Sequence, residues 1–467
     1  MSALTAAIES VRRSMPMRIE GVIASLRGMT VLVDDLPLPV GSLVRIMSGD
    51  GATRDSFGEI VGFTREQAII MMLGVASGVR PGDRVVGEQV SPSAPVGDRL
   101  LGRVLNGLGA PLDIAPTPSE TQPRSLTPEP LSPLRRRPVN RQMLTGVRAI
   151  DLMTSMGVGQ RLGVFSGPGV GKSTLLGMIA RGTNADVNVI ALIGERGREV
   201  REFIEQALGA EGMARSVVVV ATGDESPLMR IRAAKYACCI AEHFRDRGRD
   251  VMLMMDSVTR FAHAQRQVGL SVGEPPASKG YTPSVFAQLA LLLERAGGVD
   301  AAPGTSGGGS ITGLYTILVE GDDLTEPVAD AARGILDGHV VLSRELAQRA
   351  HFPAIDVLDS ISRVADQVTT REHTHARRAL SRLLGAYRKV EDLVQIGAYV
   401  RGSSAETDAA IALRPAIEAL LRQQEDEDER FDESLSRLMK LISQAEELAT
   451  HAPPEGVAPI GAPQEVQ

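Results

Sequence analysis

Ser166-Gly167-Pro168-Gly169-Val170-Gly171-Lys172-Ser173-Thr174 lies between an apolar run, Leu162 to Phe165, and an amphipathic one carrying Leu175, Leu176, Met178 and Ile179. Strand, glycine-rich loop and helix, in that order, are what a phosphate-binding loop requires. The stretch Gly167, Pro168, Gly169, Val170, Gly171 lets backbone N–H groups curl around phosphate oxygens, and Lys172 supplies a positive charge for the β- and γ-phosphates. Ser173 offers a hydroxyl to Mg²⁺, Thr174 continues the first helical turn, and the helix turns its positive end to the anion. Where such loops usually begin with glycine this one has Ser166, a small residue that suffices if its backbone angles are ordinary. The reading is a nucleoside triphosphate site in an α/β domain.

The 467-residue chain as a whole limits what that domain belongs to. Its length exceeds one hydrophobic core and predicts about three domains. A hydrophobic content of 43% describes an ordinary globular protein, and no apolar run approaches the ~20 residues of a membrane span. The N-terminus alternates apolar and charged residues and does not read as a secretory signal. The two cysteines, Cys238 and Cys239, are adjacent, which predicts buried thiols in a reducing cytoplasm rather than a disulfide. A net charge of −7 argues against a chain built to coat nucleic acid.

Short Val/Ile/Leu-rich runs separated by Gly, Asp and Pro turns fill residues 18–98 and predict a small β-barrel, preceded by an amphipathic helix over 1–17. Residues 99–140 read as an extended connector, because seven prolines fall between 114 and 138. Buried-strand runs such as Val187 to Ile193, Ser216 to Ala221 and Val251 to Met255 alternate with helical segments across 141–368, the pattern of a mainly parallel, RecA-like sheet. Helical periodicity returns over 369–450, and the Pro/Gly/Ala-rich residues 451–467 read as a disordered tail. The acidic run Glu425 to Glu429 reads as a solvated face.

Three further groups bear on phosphoryl chemistry. Asp256 ends a buried strand and is expected beside the phosphate loop, holding Mg²⁺ through water. Glu195, after the strand Val187 to Ile193, is placed either to polarise an attacking water or in a structural ion pair. Arg363 is distant in sequence; spacing alone makes it an ordinary surface or paired arginine, and only if it faces a neighbouring subunit does it become an arginine finger.

Several stretches together resemble the rotary ATPase superfamily that includes the F-type catalytic β subunit. They are Gly102 to Pro111, Thr145 to Asp151, the phosphate loop, Gly194-Glu195-Arg196 and Ser362-Arg363. Within that resemblance, Ser278 to Phe286, Glu294 to Gly297 and Val319 to Asp330 are similar to the type III protein-export ATPases, and Ala277-Ser278-Lys279-Gly280-Tyr281 resembles the flagellar members more than the injectisome ones. Residues 387–399 have an injectisome flavour. The resemblance implies a homohexamer that binds ATP and Mg²⁺ at subunit boundaries, with Lys172, Glu195, Arg196 and Arg363 catalytic and Ser173 and Asp256 on the metal. It also implies that Phe352 stacks on adenine, with a core phenylalanine as the alternative. The second wall of the adenine pocket, somewhere in 421–424, stays unassigned.

As partners the resemblance implies a stator-like negative regulator at the N-terminus, a coiled-coil stalk protein in the central channel beside Gly321 to Asp330, membrane proteins of the export gate, and chaperone–substrate complexes. The place implied is the cytoplasm, peripheral to the inner face of the membrane at the flagellar base. Two other classes compete with a flagellar export ATPase. A non-catalytic ring subunit has no chemical use for Glu195, and a nucleic-acid translocase needs basic and aromatic residues interleaved on the barrel, whereas aromatics make up 3% of this chain.

Overall fold

The computed structural model describes residues 19–47, 56–74, 78–300, 308–319, 321, 323 and 325–450. The amphipathic segment 1–17 and the tail 451–467 lie outside these residues.

Six antiparallel strands, β1 (Glu20–Arg27), β2 (Thr30–Asp34), β3 (Leu43–Met47), β4 (Ser56–Phe63), β5 (Gln67–Met72) and β6 (Arg84–Gln89), close into a barrel in the order β1-β2-β5-β4-β3-β6. Its interior is a separate small core that includes Ile23, Val33, Val44, Ile60 and Ile70. Closure removes the free strand edges that such short strands would otherwise present.

The main sheet runs through β7 (Val104–Asn106), β8 (Arg161–Ser166), β9 (Val187–Ile193), β10 (Ser216–Ala221), β11 (Asp250–Asp256), β12 (Ser310–Leu318), β13 (Gly338–Leu342) and β14 (Ile355–Ser362). Their order is β14-β13-β8-β12-β11-β9-β10-β7. All neighbours are parallel except β14, which returns antiparallel along β13. Every residue of β9 and β10 is buried, as a parallel sheet covered on both faces demands. The stretch read as connector is stitched into this body: β7 extends the sheet edge, and Gln122–Ser125 pairs with Ser93–Val96. Its prolines break up long strands but leave these short ones intact.

One face of the sheet packs α3 (Pro227–Arg245) and α4 (Val258–Ser271), with Cys238 and Cys239 buried there as free thiols. The other face packs α1 (Arg148–Met153) and α2 (Lys172–Gly182) and shares its core with three C-terminal helices, α5 (Arg371–Gln395), α6 (Ala405–Leu421) and α7 (Phe431–Thr450). Leu380, Ile417 and Leu438 therefore belong to the same apolar cluster as Ile150, Leu175 and Met254. No described helix is long and apolar enough to cross a membrane.

The C-terminal end of α2 is fixed by a glycine pair. A Cβ on Gly182 would lie 2.9 Å from the Gly146 Cα, and one on Gly146, at φ +75°, would lie 2.7 Å from the Gly182 Cα. Gly182→Val should therefore push α2 off Gly146 and cost about 1–3 kcal/mol, read as a lower midpoint in thermal unfolding. An unchanged midpoint would mean that this contact does not constrain α2.

Candidate functional site

The register of the parallel strands brings the predicted residues to one edge. Ser166 pairs with Leu318 across β8 and β12, and Asp256 with Leu192 across β11 and β9, so the loop after β8 and the ends of β11 and β9 open on the same side. Ser166 closes β8 in ordinary strand conformation, as a non-glycine there must, and its hydroxyl is buried without a hydrogen-bond partner. Gly169 and Gly171 take φ +76° and +90°, so the loop needs glycine at both. Gly171 is the N-cap of α2, and no side chain caps the helix, which leaves its first amides available to an anion.

Lys172 occupies the middle of the edge. Its ammonium donates to Asp256 and lies 3.3 Å from Glu195 Oε1. Burial works to lower the Lys172 pKa, but the two carboxylates outweigh it and hold the lysine protonated. Asp256 also accepts a hydrogen bond from Thr316 Oγ1 at 2.7 Å, so β12 orients the carboxylate that ends β11. Glu195 has its pKa raised, first by burial and then by the charge of Asp256, while Lys172 pulls it back. A carboxyl poised this way suits a group that must accept a proton from water.

Gly194, at φ +72°, turns the chain so that Glu195 reaches Lys172; a Cβ there would meet the Arg260 side chain at 2.9 Å. Arg196 points away from this cluster. It is exposed and donates to Glu199 Oε1 at 2.7 Å. Glu199 is a residue that the sequence does not single out: it hydrogen-bonds Glu195 and contributes to raising that carboxyl. Thr316 was missed too, because a threonine inside an apolar strand carries no sequence signal for what its hydroxyl touches.

Phe352 is 46% exposed, and its ring lies 3.7 Å from where a Gly171 Cβ would be. That combination, an uncovered aromatic face beside the phosphate loop, is open to a stacking partner. Ser173 is exposed in the first turn of α2. The described residues include no cluster of three acidic, His or Cys side chains that would cage a metal. One carboxylate and one hydroxyl beside a phosphate loop are the donor set that Mg²⁺ uses with a bound triphosphate, and with the orphaned Ser166 hydroxyl and the open glycine cradle the residues fit MgATP.

Arg363 is not at this edge. Ser362 pairs with Gly338, the first residue of β13, whereas Leu342 at the other end of β13 pairs with Ser166. The Arg363 amide donates to the Asp337 carbonyl, and Asp337 in turn accepts from the amide of Arg161, the first residue of β8. The length of β8, about 17 Å at ~3.3 Å per residue, separates Arg363 from the phosphate loop of its own chain. Its guanidinium is exposed and donates only weakly, at 3.4 Å, to the Arg333 carbonyl.

Residues 146–362 match the ATP synthase alpha/beta family, nucleotide-binding domain, and residues 369–440 match the T3SS EscN ATPase C-terminal domain. The chain is 49% identical over 453 residues to the flagellum-specific ATP synthase of Treponema pallidum, covering 96% of this chain and 98% of that one. It is 47% identical to the type 3 secretion system ATPase of Xanthomonas euvesicatoria, covering 91% of this chain and 94% of the relative. Among solved structures, the assembled ATPase EscN in complex with its central stalk EscO, from the enteropathogenic E. coli type III secretion system, superimposes with a TM-score of 0.82 at 40% identity, covering 90% of this chain and all of that one.

The shared cation makes a pH prediction. A carboxyl whose folded pKa lies above its unfolded value is worth most to stability below the unfolded value, and that advantage is lost as pH rises through the folded value. Glu195 is such a group, and Lys172→Met removes the charge that restrains it. The variant should therefore lose more stability than the natural chain does as pH rises above the ordinary glutamate value of about 4.3, by a further ~2–4 °C in melting temperature. Equal pH slopes would show that Lys172 and Glu195 are not coupled.

Proposed function

The chain belongs to the type III protein-export ATPases within the ATP synthase alpha/beta family, and on that premise we propose that it is the homohexameric ATP hydrolase of a flagellar export apparatus, releasing chaperones and feeding unfolded substrates into the export gate. The observation that carries the catalytic reading is the placement of Lys172, Glu195 and Asp256 on one edge of the sheet with Arg363 on the other. A nucleotide held at the first edge is out of reach of its own chain's Arg363. A neighbour that turns its opposite edge toward it supplies that residue.

In this reading the amides of Gly167 to Thr174 bind the phosphates, and Lys172 leaves Asp256 and Glu195 for the β- and γ-phosphate oxygens. The move withdraws the charge that lowered the Glu195 pKa, so Glu195 becomes a better base as substrate arrives. Glu195 then orients and polarises the water that attacks the γ-phosphorus, with Glu199 beside it keeping the local field negative. Ser173 and Asp256 are the residues that would hold Mg²⁺, which when bound neutralises charge on the β- and γ-phosphates. Arg363 of one subunit stabilises the charge that spreads over the transferring phosphoryl group in the next. Phe352 stacks on the base. Arg196, directed to Glu199, acts by positioning Glu195 through that residue.

The ring and its stalk follow from the kinship with assembled EscN and its stalk complex. Gly321 to Asp330 are assigned to the stalk-facing channel, and residues 1–17, which lie outside the described part, to a stator-like regulator. Membrane attachment at the flagellar base is assigned to such partners and not to the helices described.

Glu195→Gln should bind ATP almost normally and hydrolyse it about 10²- to 10⁴-fold more slowly, since a general base contributes on that order. Turnover within a few-fold of the natural chain would remove Glu195 from the chemistry. Arg363→Ala should lower kcat by about 10³- to 10⁵-fold with nucleotide affinity nearly intact. Rings mixed from natural and Arg363→Ala chains then lose more activity than their mutant fraction, whereas strictly proportional loss would place the arginine's action within its own subunit.

A further inference from the structure

Gln423 lies in the turn after α6 and is almost completely buried, 5% exposed, although it is neither catalytic by type nor part of the phosphate loop. All of its side-chain hydrogen-bonding groups are used. Oε1 accepts from the Arg148 amide at 2.9 Å, and Nε2 donates to the Gly146 carbonyl at 2.8 Å and to the Glu427 carbonyl at 3.0 Å. Its own amide donates to the Phe352 carbonyl at 3.0 Å. One residue thus joins three parts of the molecule: the Gly146–Arg148 turn, the loop that carries Phe352, and the acidic turn between α6 and α7.

Each of those parts is in turn fixed. Gly146 packs without a gap on Gly182 at the end of α2, the helix that begins with Lys172. The Arg148 guanidinium is 4% exposed and donates to the carbonyls of Leu420 and Arg422 and to the carboxylates of Glu427 and Glu429. His351, next to Phe352, accepts from Arg422 Nε at 3.4 Å. The position of the Phe352 ring relative to Gly171 is therefore set by the C-terminal helical bundle through residues 422 and 423.

We propose that Gln423 is a positioning residue for the base subsite, holding Phe352 at its stacking distance from the phosphate loop and tying occupancy of that subsite to the C-terminal helices. The proposal rests on the reading of Phe352 as the adenine-stacking residue. Gln423 occupies the region where a second adenine wall was sought, but its side chain is spent on the backbone and leaves no face for a base. A residue that acts this way affects ligands with a base and spares ligands without one.

Calorimetric titration of the full chain with ATP and, separately, with inorganic tripolyphosphate tests this. Gln423→Leu removes all three side-chain bonds and should weaken ATP by about tenfold, the loss of roughly one net hydrogen bond's worth of positioning, while tripolyphosphate affinity stays within twofold. Equal weakening of both ligands would mean that the variant disturbs the phosphate loop as a whole and would overturn the proposal. If Gln423→Leu does not fold, Gln423→Glu serves in its place, because it keeps the acceptor for the Arg148 amide and loses both donations.

Phe352→Ala separates the two readings. If it leaves ATP affinity unchanged, the stacking assignment fails whatever Gln423 does. If it weakens ATP, the double variant Phe352→Ala with Gln423→Leu should bind ATP no worse than Phe352→Ala alone, since both act through one ring. Losses that add would place Gln423 outside the base subsite and overturn the positioning role.

Discussion

A parallel sheet has two unlike edges, and most of the molecule's organisation follows from that. Strand ends at one edge deliver loops that open onto helix N-termini, so positive backbone dipoles converge there. Ser166, Ile193 and Asp256 all end strands at that edge. The opposite edge receives strand beginnings, and the antiparallel return of β14 carries Arg363 to it. No side-chain rotamer can bring the two together across the width of the sheet. On the proposed reading, a chain with this topology holds two halves of a phosphoryl-transfer site that cannot meet within one subunit, and a ring in which each subunit presents one edge to the next makes both useful.

The charges of the cleft are balanced with the same economy. Two carboxylates close to each other repel, so Lys172 between them offsets charge that the folded state would otherwise bury unpaired. In the proposed reading the lysine turns from the carboxylates to phosphate, so that phosphate binding, release of Glu195 from its restraint and the rise in its basicity are one event. Thr316 keeps a hydrogen bond on Asp256, whereas Glu195 has Glu199 beside it, so the two carboxylates at the edge meet different neighbours.

The glycine-rich loop and Asp256 were legible in the sequence because their meaning is local: a strand, a turn of set composition and a helix, or an apolar run ending in an acid. Residues whose roles depend on distant partners were read less well. Glu427 and Glu429 belong to a run of like charge that reads as solvated, yet they neutralise Arg148, a residue far upstream whose guanidinium is buried. Val104 to Asn106 sits in a stretch whose composition suggests a linker, and its strand exists only because β10 offers an unpaired edge. Arg363 shows a third case. The sequence supplied its identity, but which edge it occupies is a consequence of strand direction, which carries it away from the phosphate loop of its own chain.

The same dependence on distant partners explains why the helical C-terminal part is built into the core of the nucleotide domain. A bundle that merely hung from the sheet would need its own apolar centre, and Leu380, Ile417 and Leu438 instead pack with α1, α2 and the inner strands. The polar seam through Arg148, Gln423 and the Phe352 carbonyl runs along the border of that shared core, where backbone groups at the ends of α6 and the start of α1 would otherwise be buried unpaired. Satisfying them with side chains from the other domain makes the border directional. A shift of the bundle relative to α2 must break several hydrogen bonds at once, so its motion is confined to displacements that carry the Phe352 loop along. The Phe352 loop and the orientation of the helical bundle are thus linked by the need to leave no buried polar group alone.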